Sequence, residues 1–155
     1  MSGGAAHRCV WQPLRDGQAL RIEIETDPVE ESASEREATD GAWSRIRAAN
    51  PRAFNGPILA YTSADPGANL VRCRRDEYRR LAVTPGIETG VVHLGVTGVL
   101  EARDEAGVPH VLMGLRSHAT RIFGGMWELG PSGGVDPPPI DQRTMDADDL
   151  WRVLI

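Results

Sequence analysis

Lysine is missing from this sequence altogether. All 17 basic residues are arginine, set against 22 acids for a net charge of −5. No Schiff-base enzyme works without lysine, and neither does a phosphate loop of the Gly-Lys-Ser/Thr kind. The acidic balance also speaks against a duplex-binding protein, which needs a basic footprint. Cysteine is nearly missing too. Cys9 and Cys73 stand far apart, with the spacing of neither a zinc framework nor a redox pair, and read as packing residues or free thiols. No stretch approaches the roughly 18 apolar residues of a membrane span. The first eight residues lack the apolar stretch of a signal peptide. The expectation is a cytosolic protein that does not enter a membrane.

What is present fits one compact unit. The chain has 155 residues, 41% hydrophobic and 25% charged, which is ordinary globular composition with room for one sizeable core. Five arginines crowd positions 72–80 (Arg72, Arg74, Arg75, Arg79, Arg80), offset by Asp76 and Glu77. A solvated helix face explains them better than a nucleic-acid patch.

Residues 20–26 alternate apolar and charged, the period-two signal of a half-buried strand. Asp27-Pro28 offers an N-cap with proline at the first helical position. The acid-rich helix that follows carries Trp43 and Ile46 and ends before Pro51. Asn55-Gly56-Pro57 is a turn by composition. Residues 58–63 and 69–74 read as a hairpin around Asp65-Pro66-Gly67, and residues 76–81 as a brief helix. The run from Val91 to Leu100 is strongly β-forming, and Val108 to Leu115 returns as its antiparallel partner, buried on at least one face. A third short strand is expected at Met126–Leu129, in or beside the same sheet. Strands and helices without regular alternation indicate α/β or α+β architecture around a mixed sheet.

Two motifs fail on context. Gly130-Pro131-Ser132-Gly133-Gly134 matches the G-x-S-x-G nucleophile elbow, but three prolines follow where a helix must start, and His118, the last histidine, precedes the serine. His7, His93, His110 and His118 lack paired-ligand spacing. His93 and His110 read as core or edge residues of strands, and His118 as a surface residue.

The stretch from Leu115 to Pro137 resembles the start of the Nudix hydrolase signature: a strand ending in Arg116, a loop, Gly125-Met126-Trp127-Glu128-Leu129, then Pro131-Ser132-Gly133-Gly134. Asp40-Gly41-Ala42-Trp43, Asn50 to Pro57 and Arg75 to Arg79 look like the N-terminal extension of that family's UDP-sugar diphosphatase branch. The resemblance implies an α/β/α sandwich, with an extension over 1–88 and the first part of a Nudix-like core over 89–155. It implies magnesium and hydrolysis of a nucleoside diphosphate derivative, UDP-sugars among the candidates. The competing expectation is a non-catalytic nucleotide- or protein-binding module.

By that resemblance Arg116 would contact a diphosphate, a role its guanidinium fork suits. Glu128 would face the cleft while Trp127 packs in the core, and the Gly133 carbonyl would be a metal ligand, with Gly134 approaching the substrate. Phe54 and Tyr78 would stack on a base. Arg116, Glu128 and the Gly133-Gly134 loop would share one cleft, with Tyr78 at its wall.

The family's box, started at Gly133, calls for glutamate where Pro139 stands, Arg-Glu at Ala147-Asp148 and Glu-Glu at Trp151-Arg152. Only Ile155 and Asp148 suit it. The box is interrupted over 137–145 and its helix, opened by an N-cap near Asp146, is cut short. No catalytic residue is therefore assigned, and the chain as it stands is expected not to turn over substrate. The sequence leaves base, leaving group and oligomeric state open.

Overall fold

The computed structural model describes residues 17–155 apart from 28, 85 and 121–123; Cys9, His7 and Pro28 lie outside the described residues. Strand β1 (Arg21–Glu25) shows the expected alternation, with Ile22 and Ile24 buried and Glu23 and Glu25 on the other side. Helix α1 (Ala33–Ala49) starts later than Asp27-Pro28 suggests. Its N-cap is Ser32, whose hydroxyl accepts from the Glu35 amide while the Glu35 carboxylate accepts from the Ser32 amide. This reciprocal box satisfies two amides that would otherwise lack partners, so it defines the helix start. Thr39 and Trp43, one turn apart, are its buried residues.

Strands β2 (Pro57–Asp65) and β3 (Leu70–Glu77) pair antiparallel, as the hairpin expectation has it, with a bulge between Tyr61 and Ser63. A 3₁₀ turn at Pro66–Ala68 joins them. It closes on Asn69 in the left-handed region at φ 48°, which asparagine tolerates better than most residues. The short helix α2 (Tyr78–Ala82) follows β3 directly.

The second half is built of three-residue strands. β4 (Gly95–Thr97) pairs with β9 (Ser132–Gly134), β5 (Glu101–Arg103) with β6 (Pro109–Val111), and β7 (Met113–Leu115) with β8 (Trp127–Leu129), all antiparallel. β10 (Thr144–Asp146) and helix α3 (Ala147–Leu154) end the chain. Asp146 caps α3 in a second reciprocal box with Asp149.

The main sheet has the order β10-β1-β3-β2. β1 lies parallel to β3 and antiparallel to β10. The protein therefore combines a mixed sheet with helices, as composition and pattern indicate. On one face Ile22, Ile24, Leu59, Cys73, Val135 and Met145 form the main core. Trp43, Ala82 and Val83 make a second cluster, and Ile58, Ala60 and Val91 a third.

The long hairpin is corrected in two respects. Only Gly95–Thr97 of the Val91–Leu100 run is strand, and it joins β9; the 108–115 return divides between β6 and β7. The ribbons are also not buried: every residue of β5, β6 and β7 is exposed. Trp127 is 65% exposed and packs in no core.

Candidate functional site

A cavity of about 540 Å³ opens where the second half of the chain crosses β2, lined by Phe54, Tyr78, His93, Gly134 and Asp136, with Gly56, Pro57, Ile58 and Pro137 completing its wall. Its size is within the usual range for a small-molecule site.

Backbone pairing builds this cavity. Leu59 is its pivot: its amide donates to the Val135 carbonyl at 3.3 Å and its carbonyl accepts from the Leu94 amide at 2.9 Å. Leu94 in turn accepts from the Val135 amide at 3.0 Å. Val135 and Leu94 turn toward the main core, so the alternating neighbours His93, Gly134 and Asp136 point the other way, into the cavity. His93 makes a bridge to Ala60 of β2.

The opposite wall hangs on the start of α2. The Tyr78 amide donates to the Gly56 carbonyl at 2.8 Å, the Arg79 amide to Asn55 Oδ1 at 2.8 Å, and Asn55 Nδ2 to Glu77 Oε2 at 3.0 Å. These bonds hold the 54–56 loop against the helix. Hydrogen bonds from Arg79 and Asn55 hold the Glu77 carboxyl below its ordinary value. Tyr78 meets Trp43 edge to face at 6.3 Å and 84°, a favoured aromatic geometry.

Two glycines let two rings lie on the backbone. A Cβ on Gly56 would meet Phe54 Cε1 at 2.8 Å, and one on Gly134 would meet His93 Cε1 at 2.1 Å. Phe54 is 76% exposed, an apolar ring held out over the opening.

Half-burial holds the His93 imidazole below its ordinary value near 6.5, and the Asp136 charge partly offsets this. A depressed value means the unfolded chain binds more protons, so folding stability is whole above about pH 6.5 and declines as pH falls through the folded value. Urea midpoints of the protein and of His93→Gln between pH 7.5 and 5 check this. The variant should lose less stability on acidification; an equal loss in both would contradict it.

The sequence-derived site residues fall into two groups. Phe54, Tyr78 and Gly134 meet in the cavity. Arg116 and Glu128 do not line it. They are paired with each other, Arg116 Nη1 donating to Glu128 Oε2, and Ser132 Oγ donates to the same oxygen at 3.3 Å. Gly133 pairs with Val96. The single cleft expected to join Arg116, Glu128, Gly133 and Gly134 with Tyr78 is thus not formed: the Arg116 charge is engaged by Glu128. Among the described residues, no group of three or more His, Cys, Asp or Glu converges as a metal would need. His93 and Asp136 are the additions. Val135, apolar between Gly134 and Asp136, is the signal that could have found Asp136.

Four of the five arginines of β3 and α2 are paired with acids, while Arg75 donates to the Pro139 carbonyl at 2.7 Å. Arg80 faces Asp76 at 3.3 Å and Glu31 at 3.8 Å, Arg74 faces Asp76 at 3.3 Å, and Arg72 faces Glu23 at 3.5 Å. Arg79 pairs with Glu77 at 2.6 Å and with Asp40. They make no open cationic patch. Cys73 is fully buried, and burial pushes its thiol up to about 11, so it is no nucleophile at neutral pH.

No family profile matches the chain. It is 28% identical over 144 residues to the ribosomal RNA small subunit methyltransferase B of Pseudomonas syringae pv. tomato (strain ATCC BAA-871 / DC3000). That alignment covers 86% of this chain and 29% of the methyltransferase, so the chain spans under a third of that protein's length. The similarity overturns the Nudix resemblance and the hydrolase, pyrophosphatase and nucleotide-sugar assignments drawn from it. Those rested on short words whose charged members, Arg116 and Glu128, are tied to one another. No helix of the described residues is long and apolar enough to cross a membrane.

Proposed function

We propose that the protein is a base-binding module of an RNA methyl-transfer protein, and that its cavity seats one unstacked base of the RNA. The observation that carries this reading is the cavity: Phe54 and Tyr78 on one wall, His93 and Asp136 on the other, in a volume suited to a nucleoside. Methyltransferases that act on a base take it out of the stack into such a pocket, and single-stranded RNA is read by stacking on aromatic rings with hydrogen bonds to base edges. The similarity to a ribosomal RNA methyltransferase supports RNA as the substrate class. The net charge of −5 and the paired arginines disfavour a duplex footprint. They do not disfavour a single base, whose binding rests on stacking. Cys73, buried in the sheet, takes no covalent part.

Single-stranded fragments of small-subunit ribosomal RNA should bind and shift the NMR signals of Tyr78 and His93. Phe54→Ala removes an exposed ring, so the fold should survive while binding weakens by about 1–3 kcal/mol, the usual range for base stacking. Equal binding of a duplex of the same sequence, or unchanged affinity in Phe54→Ala, would contradict the reading.

A further inference from the structure

Asp136 is the one acidic side chain among the residues lining the cavity. It is exposed, and its carboxylate makes no hydrogen bond or ion pair among the described residues. Its position follows from the bonds of Val135 to Leu94 and Leu59 just beyond the β4–β9 pairing, since Val135 turns into the core and fixes the residues on either side outward. An ionised carboxylate only accepts hydrogen bonds, through two oxygens side by side.

The bases differ in what they offer such a group. Uracil presents one ring N–H, and adenine and cytosine one exocyclic amine each. Guanine alone carries a ring N–H and an amine on adjacent atoms, which match two carboxylate oxygens as a fork. Its neighbouring carbonyl oxygen needs a donor, and an imidazole carrying one N–H supplies it. We propose that Asp136, with His93 beside it, makes this cavity selective for guanine: the Asp136 carboxylate accepts from the ring N–H and the amine while the His93 ring donates to the carbonyl oxygen. This assignment rests on the base-binding reading above and adds to it which base is held. Half-burial keeps His93 in its neutral form at physiological pH, so it donates once and accepts once. The aromatic wall by itself does not discriminate, because every base has a stacking face.

Equilibrium dialysis of the full chain against GMP, IMP, AMP, CMP and UMP tests this. IMP keeps the ring N–H and the carbonyl of GMP and lacks only the amine. GMP should bind about tenfold or more tighter than IMP, in keeping with the discrimination a two-point contact to a base provides. Asp136→Asn, at an exposed position, should bring GMP down to the IMP level. If all five nucleotides bind with similar affinity, the guanine assignment falls and the base-binding reading stands. A GMP preference that persists in Asp136→Asn removes Asp136 from the role. If none binds, both readings fall together.

Discussion

Asp76→Ala should be among the most destabilising single changes in this protein, costing about 3–5 kcal/mol, as removal of one partner from a buried ion pair generally does. The Asp76 side chain is 1% exposed and faces Arg80, itself 9% exposed, at 3.3 Å. It also accepts from Arg74 Nη2 at 3.3 Å and from the Glu77 amide at 2.8 Å. Alanine would leave the Arg80 guanidinium buried beside the more distant Glu31. The Arg80 side chain donates to the Thr89 carbonyl at 2.9 Å, and Thr89 Oγ1 returns a bond to the Arg80 carbonyl at 2.9 Å. Losing Asp76 therefore loosens α2 along with Tyr78 at its first position. Urea and thermal unfolding should show a Tm lower by on the order of 10 °C. Replacing both partners, Asp76→Leu with Arg80→Met, should recover much of the loss, because the buried Arg80 charge is removed with its partner and only the more exposed Arg74 loses an acid. A single variant that unfolds like the parent would contradict this account.

Leu59→Ala should cost about 2–5 kcal/mol through lost burial and the space left behind. Leu59 is fully buried among Ile22, Ile24, Cys73, Val135 and Met145. Its backbone also carries the bonds that dock residues 94 and 135 on the sheet. The variant therefore tests stability and site together. Amide exchange should quicken at Leu94 and Val135, and nucleotide affinity should fall further than in a core variant placed away from them, such as Met145→Ala. Equal affinity in those two variants would separate the cavity from the Leu59 ladder.

Much of the fold was legible where local signals agreed with packing. The alternation of residues 20–26 became β1, the Asp-Pro-Gly turn became the β2–β3 connection, and the acids at 146–149 capped α3. The start of α1 was misplaced because Asp27-Pro28 has the right residue types. Ser32 and Glu35, at capping-box spacing four residues on, satisfy each other's amides and win. The Val91–Leu100 run illustrates a different limit. β-propensity measures fit to a packed pleated surface, and these residues find partners in pieces, Val92 to Leu94 on β2 and Val135, Gly95–Thr97 on β9 and Leu100 beside Leu112.

The site was half legible for a related reason. Phe54, Tyr78 and Gly134 came from motif words, which name residues one at a time. His93 and Asp136 are cavity residues only because Leu94 and Val135 turn inward on Leu59, a long-range pairing that no local word encodes.

The place of β10 beside β1 has a bearing on how the chain is made. The β2–β3 hairpin closes early, over a short loop, and β1 can join it once residue 77 is available. The outer edge of β1 then waits for residues 144–146, the last strand to appear. An unpaired strand edge is a template for pairing with other chains, and distant pairings form late because the intervening segment must be gathered first. A nascent chain on the ribosome would thus display an open sheet edge while residues 78–143 are being made, the interval in which a holding chaperone has most to offer it.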